Sequence, residues 1–200
     1  MSHTPIQPDE PERAQQRRNQ VLDAASECFR RNGFHGCSMA QLAKESGMSV
    51  GHIYHYFANK EAIIDAIVKR DLRECLDAID QLMKKRKQLT DWPLDIAEHV
   101  DNALNSKNAA LQFEILAEAA RNPKVAEIVH EAHLHARAKV SELITMGSPK
   151  PLTPEMLGNK VEVIGALFDG LMVRAIRYPE INKAAPIEMM QSTMRHILDA

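Results

Sequence analysis

An all-α fold follows from three features of the sequence. Glycine is sparse and aromatic residues are only 4% of the 200, while Ala, Leu, Ile, Met, Glu and Lys are abundant, a balance that favours helices over strands. Apolar residues recur at three- and four-residue spacing over long stretches, most clearly from Ile63 to Met83 and from Leu157 to Ile176. Short segments between such stretches carry start signals (Ser, Thr, Asp) and stop signals (Gly, Pro) at helix-like distances. The expected organisation is an arm over 1–12, a three-helix domain over 13–62 with a helix-turn-helix, and a larger helical domain over 63–200.

Residues 1–12 hold three prolines and the acids Asp9, Glu10 and Glu12, the composition of a disordered arm. Arg13 to Asn32 reads as the first helix, with Val21, Ala24, Ala25, Cys28 and Phe29 as its apolar stripe, and Gly33 ends it. Ser38 is placed as the N-cap of a short helix carrying Met39, Leu42 and Ala43, and Gly47 closes that helix. Ser49 is a second N-cap, opening Val50 to Phe57. A long helix then runs over 60–86 and ends in Lys84-Lys85-Arg86-Lys87, cations that complement a helix C-terminus more simply than they make a second nucleic-acid patch. Thr90-Asp91-Trp92-Pro93 marks a boundary, with Asp91 as N-cap and Pro93 in a first turn. Helices are expected over 93–105, 107–121 and 123–146, then a loop through Pro149, Pro151 and Pro154, then helices over 153–177 and 186–198.

Two short capped helices joined at a glycine form a helix-turn-helix, whose second helix enters the DNA major groove. In that second helix Ile53 and Phe57 are four apart and face inward, which turns Val50, Gly51, His52 and His55 outward with Tyr54 and Tyr56 beside them. Imidazoles and phenol hydroxyls on such a short helix suit phosphate oxygens and base edges. Glycine within a helix costs about 1 kcal/mol relative to alanine, and close approach to a DNA backbone is a reason to keep Gly51. Lys60 falls in the first turn of the next helix, where its charge and the helix amides can share a phosphate. The net charge of −2 conceals a bias. Residues 13–60 carry Arg13, Arg17, Arg18, Arg30, Arg31, Lys44 and Lys60 against Asp23, Glu27 and Glu45, so the positive charge gathers where phosphate contact needs it. Arg17 and Arg18 can reach a backbone phosphate or a minor groove, and a plain solvated face explains them equally well.

This stretch resembles the DNA-binding domain of TetR-family transcriptional repressors. The resemblance is carried by Ala24-Ala25, Phe29, Gly33-Phe34, Ser38, Leu42-Ala43, Gly47-Met48-Ser49, Ile53-Tyr54, Tyr56-Phe57 and Lys60-Glu61, about the first third of the chain. Two positions depart from the family pattern: Val50 stands where a polar base-contacting residue is common, and His52 where a small residue such as threonine is common. The resemblance implies a homodimer binding a palindromic double-stranded DNA operator, and a variable C-terminal domain that binds a small-molecule effector. It implies DNA contacts from Ser38, Ser49, Val50, Gly51, His52, Tyr54, His55, Tyr56 and Lys60. It also implies a dimer interface from the last two helices, where Gly165 and Gly170 allow close approach.

The remainder carries no fingerprint of comparable strength. It has no phosphate loop, nucleophile elbow or paired-cysteine motif, so neither catalysis nor a cofactor is expected. His130, His133 and His135 have spacing that permits a metal, but two imidazoles on one face do not make a site, and a helix surface is the preferred reading; no metal is assigned. Cys28, Cys37 and Cys75 lack ligand spacing, and their odd number argues against a disulfide framework. They read as small buried hydrophobes, with Cys37 the best candidate if one senses redox state. For an effector pocket, the polar residues His99 and Gln112 set among Phe113 and Leu116, with Phe168, are the candidates, and the ten methionines can help to line it. No apolar run reaches the ~20 residues that span a bilayer, and the polar, acidic N-terminus is unlike a signal peptide, so a cytoplasmic protein with no membrane partner is expected. The alternatives are an effector-independent DNA-binding dimer and a metal-binding helical protein using the histidine cluster.

Overall fold

The computed structural model describes residues 10–84, 96–148 and 150–199, and among them the structure is helical without a strand. Expectations that fall on the arm before Glu10, on Lys85 to Lys87, on the boundary at Thr90 to Pro93 and on Pro149 lie outside the described residues. The chain divides into two compact units, Met1–Ile67 and Val68–Ala200.

In the first unit α1 spans Glu10–Gly36, α2 Met39–Ser46 and α3 Val50–Tyr56, and α4 begins at Lys60. The first helix starts three residues before Arg13, with Glu10 and Glu12 in its first turn, where carboxylates meet unpaired amides. It is broken at Gly33, whose φ of 73° lies in the left-handed region that glycine tolerates. Ser38 accepts a hydrogen bond from the Gln41 amide and Ser49 one from the His52 amide, so both expected N-caps are in place. Gly47, at φ 67°, closes α2, and the Met48 amide turns back to the Ala43 carbonyl. Val21, Phe29, Leu42, Ile53, Phe57 and Ile63 are all essentially inaccessible and form the core of this unit.

The cysteines do not all stay as free thiols, contrary to the expectation from their odd number. Cys28 and Cys37 are a disulfide, with Cα atoms 5.9 Å apart and a sequence separation of 9. The break at Gly33 turns the chain so that Cys37 returns to the buried stripe of α1, a reversal that spacing alone does not reveal. Both are fully buried, as expected of small hydrophobes, and Cys75 remains a free, exposed thiol.

In the second unit α4 continues from Val68 to Lys84, followed by α5 (Ala97–Ala103), α6 (Ser106–Ala119), α7 (Pro123–Gly147), α8 (Pro154–Arg177) and α9 (Ala184–Asp199). Asn105, Asn122 and Thr153 cap α6, α7 and α8 through side-chain oxygens, and Pro123 and Pro154 occupy first turns where a missing amide proton costs nothing. The core gathers Ile79 and Leu82 of α4, Val100 of α5, Leu143 and Ile144 of α7, Val161 and Ile164 of α8, and Met190, Met194 and Leu198 of α9. Lys160 is buried with them, and its ammonium donates to the carbonyls of Ile197 and Leu198 at the end of α9. It therefore caps a C-terminus whose carbonyls have no helical partner. Lys160→Met keeps the aliphatic stem but removes the donor, and should lower unfolding free energy by about 1.5–3 kcal/mol in urea titration. An unchanged midpoint would mean that solvent satisfies those carbonyls equally well. No helix among the described residues is long and apolar enough to cross a membrane.

Candidate nucleic-acid interface

The short helix α3 is held from beneath and left open above. Ile53 is fully buried and Phe57 nearly so, and together they anchor its inner face. On the other side Val50 is 37% exposed and Tyr54 50% exposed, and Gly51, His52 and His55 are exposed as well. A Cβ built on Gly51 would meet nothing within 4 Å, so nothing within the protein requires glycine there. Tyr56 is half-buried, with its ring 5.3 Å from His52 and 5.2 Å from His55. These ring contacts set both imidazoles against the same phenol ring.

The first helix supplies the support. Arg18 donates to the Tyr56 carbonyl at 3.4 Å, and its guanidinium lies 4.4 Å from the centre of the Phe57 ring. That closes the C-terminal end of α3 with a cation, where the helix dipole favours one. Gln20 donates to the Ser46 carbonyl at 2.6 Å and so ties α1 to the last turn of α2. Arg31 pairs with Glu45 at 2.7 Å. Arg17 donates to Gln20 on the exposed side of α1. Of the two arginines, then, Arg18 is used in supporting α3, while Arg17 stays on the solvent side.

Lys60 stands at the start of α4, but its ammonium is engaged within the unit. It donates to the Phe34 carbonyl at 2.6 Å and lies 4.3 Å above the Phe34 ring. That carbonyl belongs to the turn just past the Gly33 break, so Lys60 holds the α1 terminus that leads into α2. A phosphate at Lys60 must share the ammonium with Phe34. The structure thus brings Val50, Gly51, His52, Tyr54 and His55 together on one helix, with Ser49 at its N-cap, Ser38 at the N-cap of α2 and Tyr56 set between the imidazoles.

The residues considered for an effector pocket separate. Gln112 and Leu116 line a cleft of about 210 Å³ between α4, α6 and α7, together with Val68, Asp71, Leu72, Cys75, Ile115, Val129 and His133. Phe113 is half-buried but does not line it. Phe168 packs against the core shared by α4, α5, α7, α8 and α9. His99 is half-buried on α5, where burial lowers its pKa against the opposing influence of Glu98. Asp71 is the cleft residue that sequence reasoning missed. Burial raises its carboxyl to about 6, with Arg70 acting in the opposite direction, and one of its oxygens accepts a hydrogen bond from Gln112 at 2.8 Å. His130, His133 and His135 are exposed, and His135 engages the Glu131 carbonyl through Nδ1 at 2.9 Å. No group of three or more potential metal ligands converges among the described residues.

Comparison with known proteins gives two family matches. Residues 21–67 match the family described as bacterial regulatory proteins, tetR family, and residues 98–200 match the BetI-type transcriptional repressor C-terminal family. Among curated relatives, the HTH-type transcriptional regulator UidR of Escherichia coli (strain K12) is 35% identical over 121 residues, which is 60% of this chain and 61% of UidR. The fatty acid metabolism regulator protein of Bacillus subtilis (strain 168) is 25% identical over 126 residues, 62% of this chain and 59% of that protein. The chain thus aligns with about three fifths of the length of these relatives. Among solved structures, Salmonella enterica GusR superposes with a TM-score of 0.73 at 24% identity, covering 95% of this chain and 97% of that one. FadR from Bacillus subtilis in complex with stearoyl-CoA gives a TM-score of 0.75 at 19% identity, covering 88% and 96%. At those identities the superpositions establish the fold alone.

Proposed function

Because the chain belongs to the TetR family of bacterial regulatory proteins, whose members are transcriptional regulators rather than enzymes, we propose that it is a cytoplasmic homodimeric repressor, released from a palindromic operator by a small-molecule effector. The observation that carries this reading is α3, a capped helix anchored by Ile53 and Phe57 that turns Val50, Gly51, His52, Tyr54 and His55 to solvent. Two such helices in a dimer would enter major grooves one helical turn apart, about 34–36 Å. Val50, Gly51, His52 and His55 would face the bases. Ser38, Ser49, Tyr54, Tyr56 and Lys60 would position the protein on the backbone.

For dimerisation, α8 leaves Met156, Val163 and Ile176 exposed at 41%, 49% and 43%, and Cβ atoms built on Gly165 and Gly170 meet nothing within 4 Å. Single exposed apolar residues are ordinary, but Met156, Val163 and Gly170 recur at seven-residue spacing on one side of α8, and exposed apolar residues beside an open glycine suit close packing of a second copy. An effector bound to residues 68–200 in a state with altered spacing of the two DNA-facing units would lower DNA affinity by its differential binding energy. Helix α4, which contributes to both units, would transmit the shift. FadR is seen with stearoyl-CoA, so one protein of this fold does hold an organic ligand.

The roles on α3 are tested by titrating fluorescent duplexes of varied sequence with the full-length protein. His55→Ala should lose about 1–3 kcal/mol of discrimination at one base position, whereas Tyr54→Phe should weaken all duplexes alike. Uniform losses from both variants would contradict the assignment of His55 to base readout. Lys60→Ala is less informative, because it also removes the bond to Phe34.

A further inference from the structure

The cleft between α4, α6 and α7 sets a carboxylate against an apolar wall. Leu72, Ile115, Leu116 and Val129 form the wall, and Asp71 is the acidic group at its edge. Its volume of about 210 Å³ lies below the roughly 300–1,000 Å³ typical of drug-sized sites, so the cleft fits a short ligand rather than a long chain. Asp71 Oδ2 accepts from Gln112 Nε2 at 2.8 Å. Oδ1 accepts no hydrogen bond among the described residues, and Gln112, which donates an amide proton to Asp71, offers its own carbonyl oxygen as a second acceptor. The other charged or titratable groups at the cleft are Arg70 and Glu74, beside Asp71 on α4, and the lining residues Cys75 and His133.

These features select a ligand class. A carboxylate withdrawn from water disfavours its own charge, and Asp71 is raised to about 6 although Arg70 opposes the shift. An anionic ligand would meet a like charge there. A neutral one would cover the wall but desolvate the carboxylate further. A ligand with one positive donor group supplies what both acceptors lack and keeps its apolar body on the wall. We propose that the cleft binds a small amphiphilic cation, with its ammonium group on Asp71 and Gln112 and its apolar body against Leu72, Ile115, Leu116 and Val129. This deepens, and rests on, the reading of residues 68–200 as an effector-binding region.

The probe is n-hexylammonium chloride, compared with sodium hexanoate and n-hexanol by calorimetric titration into the full-length protein without DNA. Hexylammonium should bind at one site per chain, at least about tenfold more tightly than hexanoate. Asp71→Asn should weaken hexylammonium by at least about tenfold and leave hexanol within about twofold, so that hexanol reports an intact wall. The affinity for hexylammonium should also fall as pH drops from about 7.5 to about 5, because the ligand needs Asp71 ionised. That dependence should vanish in Asp71→Asn and persist in His133→Gln. Hexanoate binding as tightly as hexylammonium would overturn the proposal, as would an Asp71→Asn variant with wild-type affinity. The cation–anion comparison needs no variant and so does not depend on how substitutions fold. An operator duplex that stays bound while hexylammonium fills the cleft would refute the regulatory reading and leave the chemistry of the cleft standing.

Discussion

Replacing Gly51 with alanine is expected to stabilise the isolated protein and weaken its hold on DNA. Gly51 lies within α3, exposed, and an added Cβ meets nothing within 4 Å. Alanine removes backbone freedom from the unfolded chain at no steric cost, which is worth up to about 1 kcal/mol in a helix. For a chain of this size that raises the melting temperature by about 2–4 °C. On DNA the same methyl group would stand where the helix backbone approaches the duplex. A loss of about 1.4 kcal/mol there is a tenfold weaker complex, read by fluorescence anisotropy. Opposite signs in the two measurements are the signature of a glycine kept for a partner. A stabilised variant with unchanged DNA affinity would place Gly51 away from the contact and shift the docking face towards His52 and His55.

The second large effect is expected from reducing the Cys28–Cys37 bond. It joins the buried stripe of α1 to the residue just before the N-cap of α2, so it restrains the part of the chain that presents the helix-turn-helix. Closing a loop of this length restricts the unfolded chain by about 3 kcal/mol. Thermal melting of the DNA-binding unit should therefore occur several degrees lower in dithiothreitol than without it. A Cys28→Ala/Cys37→Ala variant should melt identically in both conditions, which isolates the bond from any loss of packing. Equal melting of the wild type with and without reductant, together with three alkylatable thiols in the unfolded, unreduced chain, would show that the pair is a dithiol.

What was legible in the sequence was local. Ser38, Gly47 and Ser49 act on amides and carbonyls within a few residues, so their roles could be read from position alone. The apolar spacing of Ile53 and Phe57 likewise settled which side of α3 faces inward. The features that escaped depend on partners far along the chain. Lys60 reads as a free cation at a helix start, yet it engages Phe34, 26 residues earlier. Lys160, between Asn159 and Val161 in sequence, caps α9, 38 residues on at Leu198. Asp71 became a cleft residue only because Gln112, 41 residues away, packs beside it. Mixed polarity points to His99, Phe113 and Phe168, but composition does not say which helix side lines a cavity. The disulfide was missed for a similar reason, because the chain reversal at Gly33 is a matter of backbone geometry.

The central claim is that α3 reads DNA as one of a symmetric pair. It is tested most directly by selecting random double-stranded oligonucleotides on the purified full-length protein and sequencing those retained. The expected result is enrichment of an inverted repeat whose half-site centres lie about one helical turn, 10–10.5 base pairs, or a multiple of it apart. Enrichment of a single unrepeated half-site, or no enrichment at all, would contradict it.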